Sequence, residues 1–532
     1  MLPPMASHQL RRGRVRAAGH VGLLLGIAAS LVAGQEETQT GSAASDGALV
    51  APRPTLALTL EDAVRIAIQN NLDIAIEEET AEVQRYNHLA SWGDFDPVFN
   101  FSGSYSDREF EGSTQLAGAD VVDVNDVNWS SSLLVPFETG GSFSLEYRRA
   151  TQETNSLFAN FPEATTDNVT AVFTQPLLRG AWDRYATIDQ RAARLTFEQA
   201  RERQRQVRQD VLRSVIDAYW DFVAAQQELS VQEFALDLGE RELANQTRRL
   251  EVGVGTEVEV LQAETNVATQ VEQRLLAETN VYAAMDALRA LLFRREEGQG
   301  LDGYLEEWTL EIVPLSPLPE VELVDRDDMR QRWQQSCATA FDHRAELTQQ
   351  RLAIEAADLE ILRAQSGREP QLDLNLTASS QGFDPSKPEA FSDAIGFEFP
   401  AFTAQLDYST PLGNRRGRNS VHAARASARL ARLRFDQIEM NIVAEVRTAA
   451  RDVVYRAEAA AAADRSVDLA QRQLAAEQRS FEEGISTLFQ VLEFQRALQQ
   501  ALSSQAASRA GYAKAVSALR RAEGRLQAPS TP

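Results

Sequence analysis

The side chains able to do chemistry are few, and their spacing does not suit catalysis. Of the five histidines in 532 residues, His8 and His20 lie near the N-terminus, and His88, His343 and His422 are far apart. Scattered imidazoles give no metal-ligand spacing. Cys337 is the sole cysteine, so there is no intrachain disulfide framework, and it reads as a small buried hydrophobe. No G-x-x-x-x-G-K-[ST] phosphate loop occurs. Acidic runs such as Glu77-Glu78-Glu79 and Glu296-Glu297 read as solvated faces, and no Ser/His/Asp or Cys/His set has the context of a nucleophile. No enzyme activity, cofactor or metal is therefore expected. With a formal charge of −24, the chain is also a poor binder of nucleic acid.

The elements that would have to position any site are written twice. One fixed offset matches Ala67 to Ala340, Asp73 to Glu346, Ile74 to Leu347 and Pro97 to Pro370. Further on, LEVGVGTEVEVLQAET at 250–265 echoes FEEGISTLFQVLEFQR at 481–496, with Gly253 over Gly484, Thr256 over Thr487 and Leu261 over Leu492. A repeat of this length makes each copy one structural unit. Here the unit reads helix, strands, very long helix, tight turn, long helix.

Period-two alternation marks the strands. Phe95, Pro97, Phe99, Phe101, Gly103 and Tyr105 share one face, and Asp96, Asn100, Ser102, Ser104 and Ser106 share the other with Val98. Strands are predicted over about 95–107, 127–135, 142–150 and 168–176 in the first half, and 371–380 and 396–410 in the second. An aromatic face opposite a small-polar one fits a transmembrane barrel. An antiparallel sheet on a soluble domain is the competing reading. The polar loops at 110–126, 152–167 and 382–394 suit a cell exterior.

Long helices are predicted over about 180–250, 256–293, 413–482 and 486–524. Val211, Val215, Ala218, Phe222, Ala225 and Leu229 recur at alternating spacings of four and three, a coiled-coil seam. Seventy helical residues extend about 100 Å, a length used to bridge a distance. Gly253 and Gly484 supply left-handed caps at the breaks, and Thr256 or Ser486/Thr487 cap the helices that follow. Thr59-Leu60-Glu61-Asp62 resembles a capping box that opens a short helix.

A basic stretch (Arg11, Arg12, Arg14, Arg16), an apolar run at 21–33 and the small residues Val32-Ala33-Gly34 predict a secretory signal peptide over 1–34. No other segment approaches the roughly 20 apolar residues of a membrane helix. Any contact of the mature chain with a membrane is then by β-barrel or from the surface. The expected organisation continues with a flexible segment (35–57), a first repeat (58–294), an equatorial linker (295–340), a second repeat (341–524) and a disordered tail (525–532).

In order, duplication and spacing, these pieces resemble the TolC-like family of bacterial outer-membrane efflux proteins from about 58 to 524. LTLEDAVRIAIQNNLDI at 58–74 resembles the family's opening helix, with Leu72 where proline is common. TQPLLRG at 174–180 and STPLGNRRGR at 409–418 resemble its strand-to-helix junctions. The two Gly/Thr turns followed by VEVLQAET and FQVLEFQR resemble its periplasmic hairpin tips.

The resemblance implies an α+β fold whose long antiparallel coiled-coil helices form a periplasmic α-barrel, and whose strands join a shared outer-membrane β-barrel in a homotrimer. It implies outer-membrane lipid, a periplasmic adaptor and, through that adaptor, an inner-membrane pump as partners. Conduction would be passive. By this analogy Glu259, Gln262, Gln490 and Glu493 lie near a pore constriction that concentrates cations. Gly253, Gly255, Thr256, Gly484, Ser486 and Thr487 would form adaptor-docking tips.

Two departures stand out. Gln490 is neutral where an acid is common, and Phe481 and Ser486 replace the Tyr and Arg that help latch the closed state in well-known members. The first half also carries an extra hairpin turning at Pro136-Phe137-Glu138-Thr139-Gly140-Gly141, which either enlarges the trimer's barrel from twelve strands to eighteen or folds outside it. Two functions compete: an exit duct for an efflux pump or a type I secretion system, and a non-conducting tether spanning the periplasm.

Overall fold

Residues 55–112, 118–295, 298–323 and 326–527 are described in this computed structural model. Strand β1 (Thr55–Leu58) leads into α1 (Leu60–Asn70) and α2 (Leu72–Ser91). Four strands follow: β2 (Val98–Glu111), β3 (Val121–Pro136), β4 (Ser142–Thr154) and β5 (Glu163–Pro176). After short α3 (Asp183–Ala186) the chain descends through α4 (Ile188–Glu251) and returns through α5 (Glu257–Leu292). The connection to the second half holds α6 (Leu301–Thr309) and β6 (Glu311–Pro314). Then come α7 (Arg326–His343), α8 (Ala345–Arg368), β7 (Gln371–Asp384), α9 (Lys387–Gly396), β8 (Pro400–Ser409), α10 (Arg415–Glu482) and α11 (Leu488–Ala522).

The long helices form where proline is absent and an apolar seam repeats. Val211, Val215 and Phe222 of the predicted seam are buried, and Tyr219 beside them is fully buried as well. Around these residues pack Ala63, Val64 and Ala67 of α1 and Leu288 and Leu292 of α5. Tyr219 keeps its hydroxyl satisfied by donating to the Leu58 carbonyl at 3.0 Å and accepting from the Ser316 amide at 3.1 Å. A buried phenol without partners would cost about 1–3 kcal/mol. These bonds tie both β1 and the chain just after β6 to α4. The parallel β1–β6 pairing, Thr55 with Glu311 through Leu58 with Pro314, closes the same corner.

The repeat is visible in the break between each opening pair of helices. Asn71 ends α1 and caps α2, its Oδ1 accepting from the Asp73 and Ile74 amides at 3.0 and 3.4 Å. The matching position in the second half is Arg344, between α7 and α8, which makes no such cap. Its guanidinium instead donates to Glu346 at 2.9 and 3.0 Å, to Glu445 of α10 at 2.9 Å and to the Ala522 carbonyl of α11 at 3.2 Å. Arg521 joins the same cluster, bonding Asp210 of α4 at 2.6 Å and Glu346 at 3.1 Å. Four helices from both halves thus meet on two nearly buried arginines.

All six remaining strands form one antiparallel sheet in the order β2-β3-β4-β5-β7-β8. The extra hairpin, β3–β4, therefore belongs to the sheet. Its turn is fastened to the start of the helical region: the Trp182 amide donates to the Thr139 carbonyl at 2.8 Å, and Thr139 Oγ1 to Gln175 at 3.1 Å. From Val98 on, the register keeps each predicted face, Phe101 beside Ser131, Tyr147 beside Val169 and Ala378 beside Phe402. Phe95, expected in the first strand, ends a 3-10 turn over Trp92–Phe95 instead. Phe99 and Phe402 on the aromatic face are 68% and 77% exposed in the single chain.

Three expectations are altered or fall outside the described residues. The flexible segment expected over 35–57 gives way at Thr55 to β1, because its backbone finds a partner in β6. The tail expected to be disordered from 525 keeps Leu526 buried in the core beside α4, although no periodicity in so short a stretch announces it. The signal peptide expected over 1–34 lies outside the described residues, as does 528–532.

The arginine cluster yields a prediction. Burial raises the Glu346 carboxyl, but hydrogen bonding and charge from Arg344, with Arg521 nearby, outweigh it and hold the group below its ordinary value of 4.5. That contribution is present above pH 4.5 and lost as pH falls through the lower, folded value. Arg521→Met should cost about 1–3 kcal/mol at pH 7, because it takes one of two arginines from half-buried Glu346 and a partner from the more exposed Asp210 and Glu445. Thermal unfolding by circular dichroism should show the gap between variant and wild type narrowing below pH 4.5. A gap that stays constant with pH would contradict the assignment.

Candidate functional site

The two helical hairpins turn on the same backbone. Gly253 and Gly484 adopt φ of 80° and 76°, the left-handed region where a side chain is strained. The next amides fold back alike, Val254 onto the Arg249 carbonyl and Ile485 onto the Ser480 carbonyl, both at 2.9 Å. One residue later the copies diverge. The Gly255 amide lies 2.9 Å from its acceptor, whereas that of Ser486, which carries a side chain, lies 3.3 Å away.

The polar residues of these turns are engaged within their own hairpins. Thr256 caps α5, accepting from the Glu259 amide at 3.3 Å, and Glu259 Oε2 accepts from the Thr256 amide at 2.8 Å, a complete capping box. Glu259 is therefore a helix cap whose carboxylate is still partly exposed. At the equivalent place Thr487 makes no side-chain cap, and Gln490 instead accepts from the Ser486 hydroxyl at 2.7 Å. Gln262 is exposed, and exposed Glu493 pairs with Arg496 at 2.6 Å.

Two links between the hairpins were not foreseen from sequence. The Arg249 guanidinium at the end of α4 sits over the Phe481 ring at the end of α10, 4.9 Å from its centroid. Such a cation–π contact is worth about 0.5–2 kcal/mol. Further along, Gln499 of α11 donates to Gln270 of α5 at 3.1 Å and contacts Gln232 of α4, all within a seam that also buries Asn266 and Gln495. Polar residues at seam positions fix helix register at some cost in stability. The sequence signal was available, since Gln232, Asn266, Gln270 and Gln495 interrupt an otherwise apolar stripe.

At the other end, the sheet separates two environments. The face opposite the aromatics carries Asn100, Ser102, Ser130, Asn375 and Asp407, joined by bonds such as Ser102–Ser130 at 2.9 Å and Asn375–Asp407 at 2.7 Å. This arrangement can line water and present hydrocarbon on its reverse. Among the described residues no cluster of three His, Cys, Asp or Glu could hold a metal, and no helix is long and apolar enough to cross a membrane.

The profile of the family described as outer membrane efflux protein matches residues 63–292 and 338–525, most of the chain. No curated protein matches the sequence. Among solved structures, the outer-membrane channel OprN is 14% identical with a TM-score of 0.62, covering 93% of this chain and 100% of its own. The CmeC outer membrane channel of Campylobacter jejuni is 14% identical with a TM-score of 0.62, covering 93% of this chain and 96% of its own. The outer membrane protein VceC of Vibrio cholerae is 15% identical with a TM-score of 0.62, covering 87% and 96%. Likeness at this identity speaks to the fold, and the two matched segments coincide with the two repeats. The chain belongs to the outer membrane efflux protein family, a non-enzymatic channel of the bacterial outer membrane whose helices extend into the periplasm.

Proposed function

We propose that three copies of this chain close one outer-membrane barrel of eighteen strands above one helical tunnel, and that the assembly is the passive exit duct of a tripartite efflux pump or a type I secretion system. A periplasmic adaptor would grip the hairpin turns and connect them to an inner-membrane pump. The observation that carries this reading is the six-stranded sheet with one aromatic face, one polar face and two free edges, continuous with helices of about 100 Å.

The stagger of the sheet supports closure. Following paired residues from Val98 across all six strands leads to Thr403, and β8 runs on another six residues to Ser409. Six residues of rise, about 20 Å, against six strand spacings, about 29 Å, correspond to a strand tilt of about 35°. That is the tilt at which barrels close. With the strand ends level, Ser409 would meet Val98 of the next copy and the aromatic faces would run on without a break. An eighteen-stranded barrel leaves an aqueous channel. A non-conducting tether has no use for a polar lining backed by exposed aromatics.

Planar-bilayer recording tests conduction: purified protein should give long-lived channels, and no conductance from a folded preparation would sink the duct. Replacing Glu259 and Glu493 by Gln keeps the capping-box acceptor while removing the charge. The double variant should weaken divalent-cation block about tenfold, and an unchanged block would place these carboxylates away from the constriction. Gly253→Ala with Gly484→Ala forces side chains into left-handed backbone at about 1–2 kcal/mol each. It should abolish co-purification of an adaptor while leaving bilayer conductance in place. Retained co-purification would remove the docking role from the turns.

A further inference from the structure

Helix α9 lies across the aromatic face of the sheet, at the end remote from the long helices. Edge strand β8 pairs with β7 only as far as Pro400 beside Ser380, while β7 continues to Asp384 beside Thr165. The helix occupies the space above that exposed length of β7. Its seat is Gly382, where a Cβ would stand 1.9 Å from the Ala390 carbonyl oxygen, so only glycine allows the approach. Ala390 and Ala394 face the sheet and are fully buried.

Against the helix sits an ion pair. Arg149 donates to both oxygens of Asp167 at 2.8 and 2.7 Å and to the Lys387 carbonyl at 3.2 Å, and Tyr147 donates to Asp167 at 2.9 Å. Asp167 is fully buried. Charges on this face would be costly in hydrocarbon. The level of Arg149, Asp167 and Gly382 therefore marks where the apolar band of the sheet ends.

The uncovered surface of α9 is divided lengthwise. At about 100° per residue, Phe391 and Ile395 form one flank and Glu389 and Asp393 the opposite one, with Ser392 on the crest between them. The Phe391 ring meets Tyr147 edge-on at 5.8 Å, and Tyr147 stands two residues nearer the band than Arg149. The apolar flank thus faces the band and the acidic flank faces away. Ile395 is half exposed, as are Phe397 and Phe399 beyond the helix.

We propose that α9 is an interfacial helix, with Phe391 and Ile395 resting in the boundary between headgroups and acyl chains of the outer leaflet and Glu389 and Asp393 facing the exterior solution. Continuity of the apolar flank with the lipid-facing band selects a lipid surface as the occupant. This rests on the barrel reading above. The helix closes over the ion pair and shields it from lipid.

The test uses full-length protein carrying Cys337→Ser and one new cysteine, Ile395→Cys, Asp393→Cys or Leu406→Cys, labelled with bimane. Each form is checked for wild-type circular dichroism and reconstituted in phosphatidylcholine vesicles with brominated acyl chains. Labels at 395 and 406 should each lose about half their emission to the brominated lipid, and the label at 393 should be quenched by aqueous iodide instead. Quenching of the 395 label by iodide while 406 remains lipid-quenched overturns the interfacial helix. Protection of 395 from both quenchers overturns it in favour of a contact with a second copy. Loss of lipid quenching at 406 overturns the barrel reading on which it rests.

Discussion

Backbone amides and carbonyls cannot be left unpaired in hydrocarbon, because each unsatisfied group costs several kcal/mol with no water to compensate. The six-stranded sheet of this chain satisfies that demand between β2 and β8 but leaves the outer side of each of those strands open. Its aromatic face wants lipid, and its edges forbid a solitary existence there. Association through the edges resolves the conflict. On the trimeric reading proposed above, the same closure would make a ring of the helices beneath, since the last strand of each repeat leads into them at Gly180 and Gly413. Insertion, oligomeric state and tunnel would then be one consequence of strand edges.

The two repeats meet this common demand with different chemistry. Asn71 caps its helix through a side-chain amide, whereas Arg344 at the matching place reaches out to Glu346, Glu445 and the end of α11. One copy is held by local hydrogen bonding and the other by a charge cluster spanning four helices. The hairpin turns differ in the same manner, with a capping box at Thr256 and Glu259 against a Ser486–Gln490 bond. A tunnel built from these halves alternates in side-chain chemistry around its circumference while keeping one backbone geometry. The Arg249–Phe481 contact bridges the two kinds of hairpin.

Much of this architecture is legible in the sequence because its signals are periodic and repeated. The alternation of Phe99, Phe101 and Tyr105 with Ser102 and Ser104 sets the faces of β2, and the seam through Val211, Val215 and Phe222 sets the buried side of α4. The turns announced themselves through Gly253 and Gly484. What stayed hidden depends on contacts between distant segments. Nothing near Leu526 signals that it completes a core with α4, and nothing in the loop after β7 says that Ala390 will settle on Gly382. By resemblance Glu259 reads as a pore residue, although Thr256-Glu257-Val258-Glu259 carries the T-x-x-E pattern of the capping box that it forms. Whether the extra hairpin joins the sheet was open in the sequence, because a strand's pattern names its faces and not its neighbour. The backbone pairing of β3 with β2 and of β4 with β5 answers it for the single chain.

The count of strands around the closed barrel tests the central claim most directly. A single-particle reconstruction of the protein in lipid nanodiscs should show threefold symmetry and eighteen strands, with β8 of each copy beside β2 of the next and β3–β4 within the wall. A twelve-stranded barrel with that hairpin outside it, or a particle without threefold symmetry, would contradict the account.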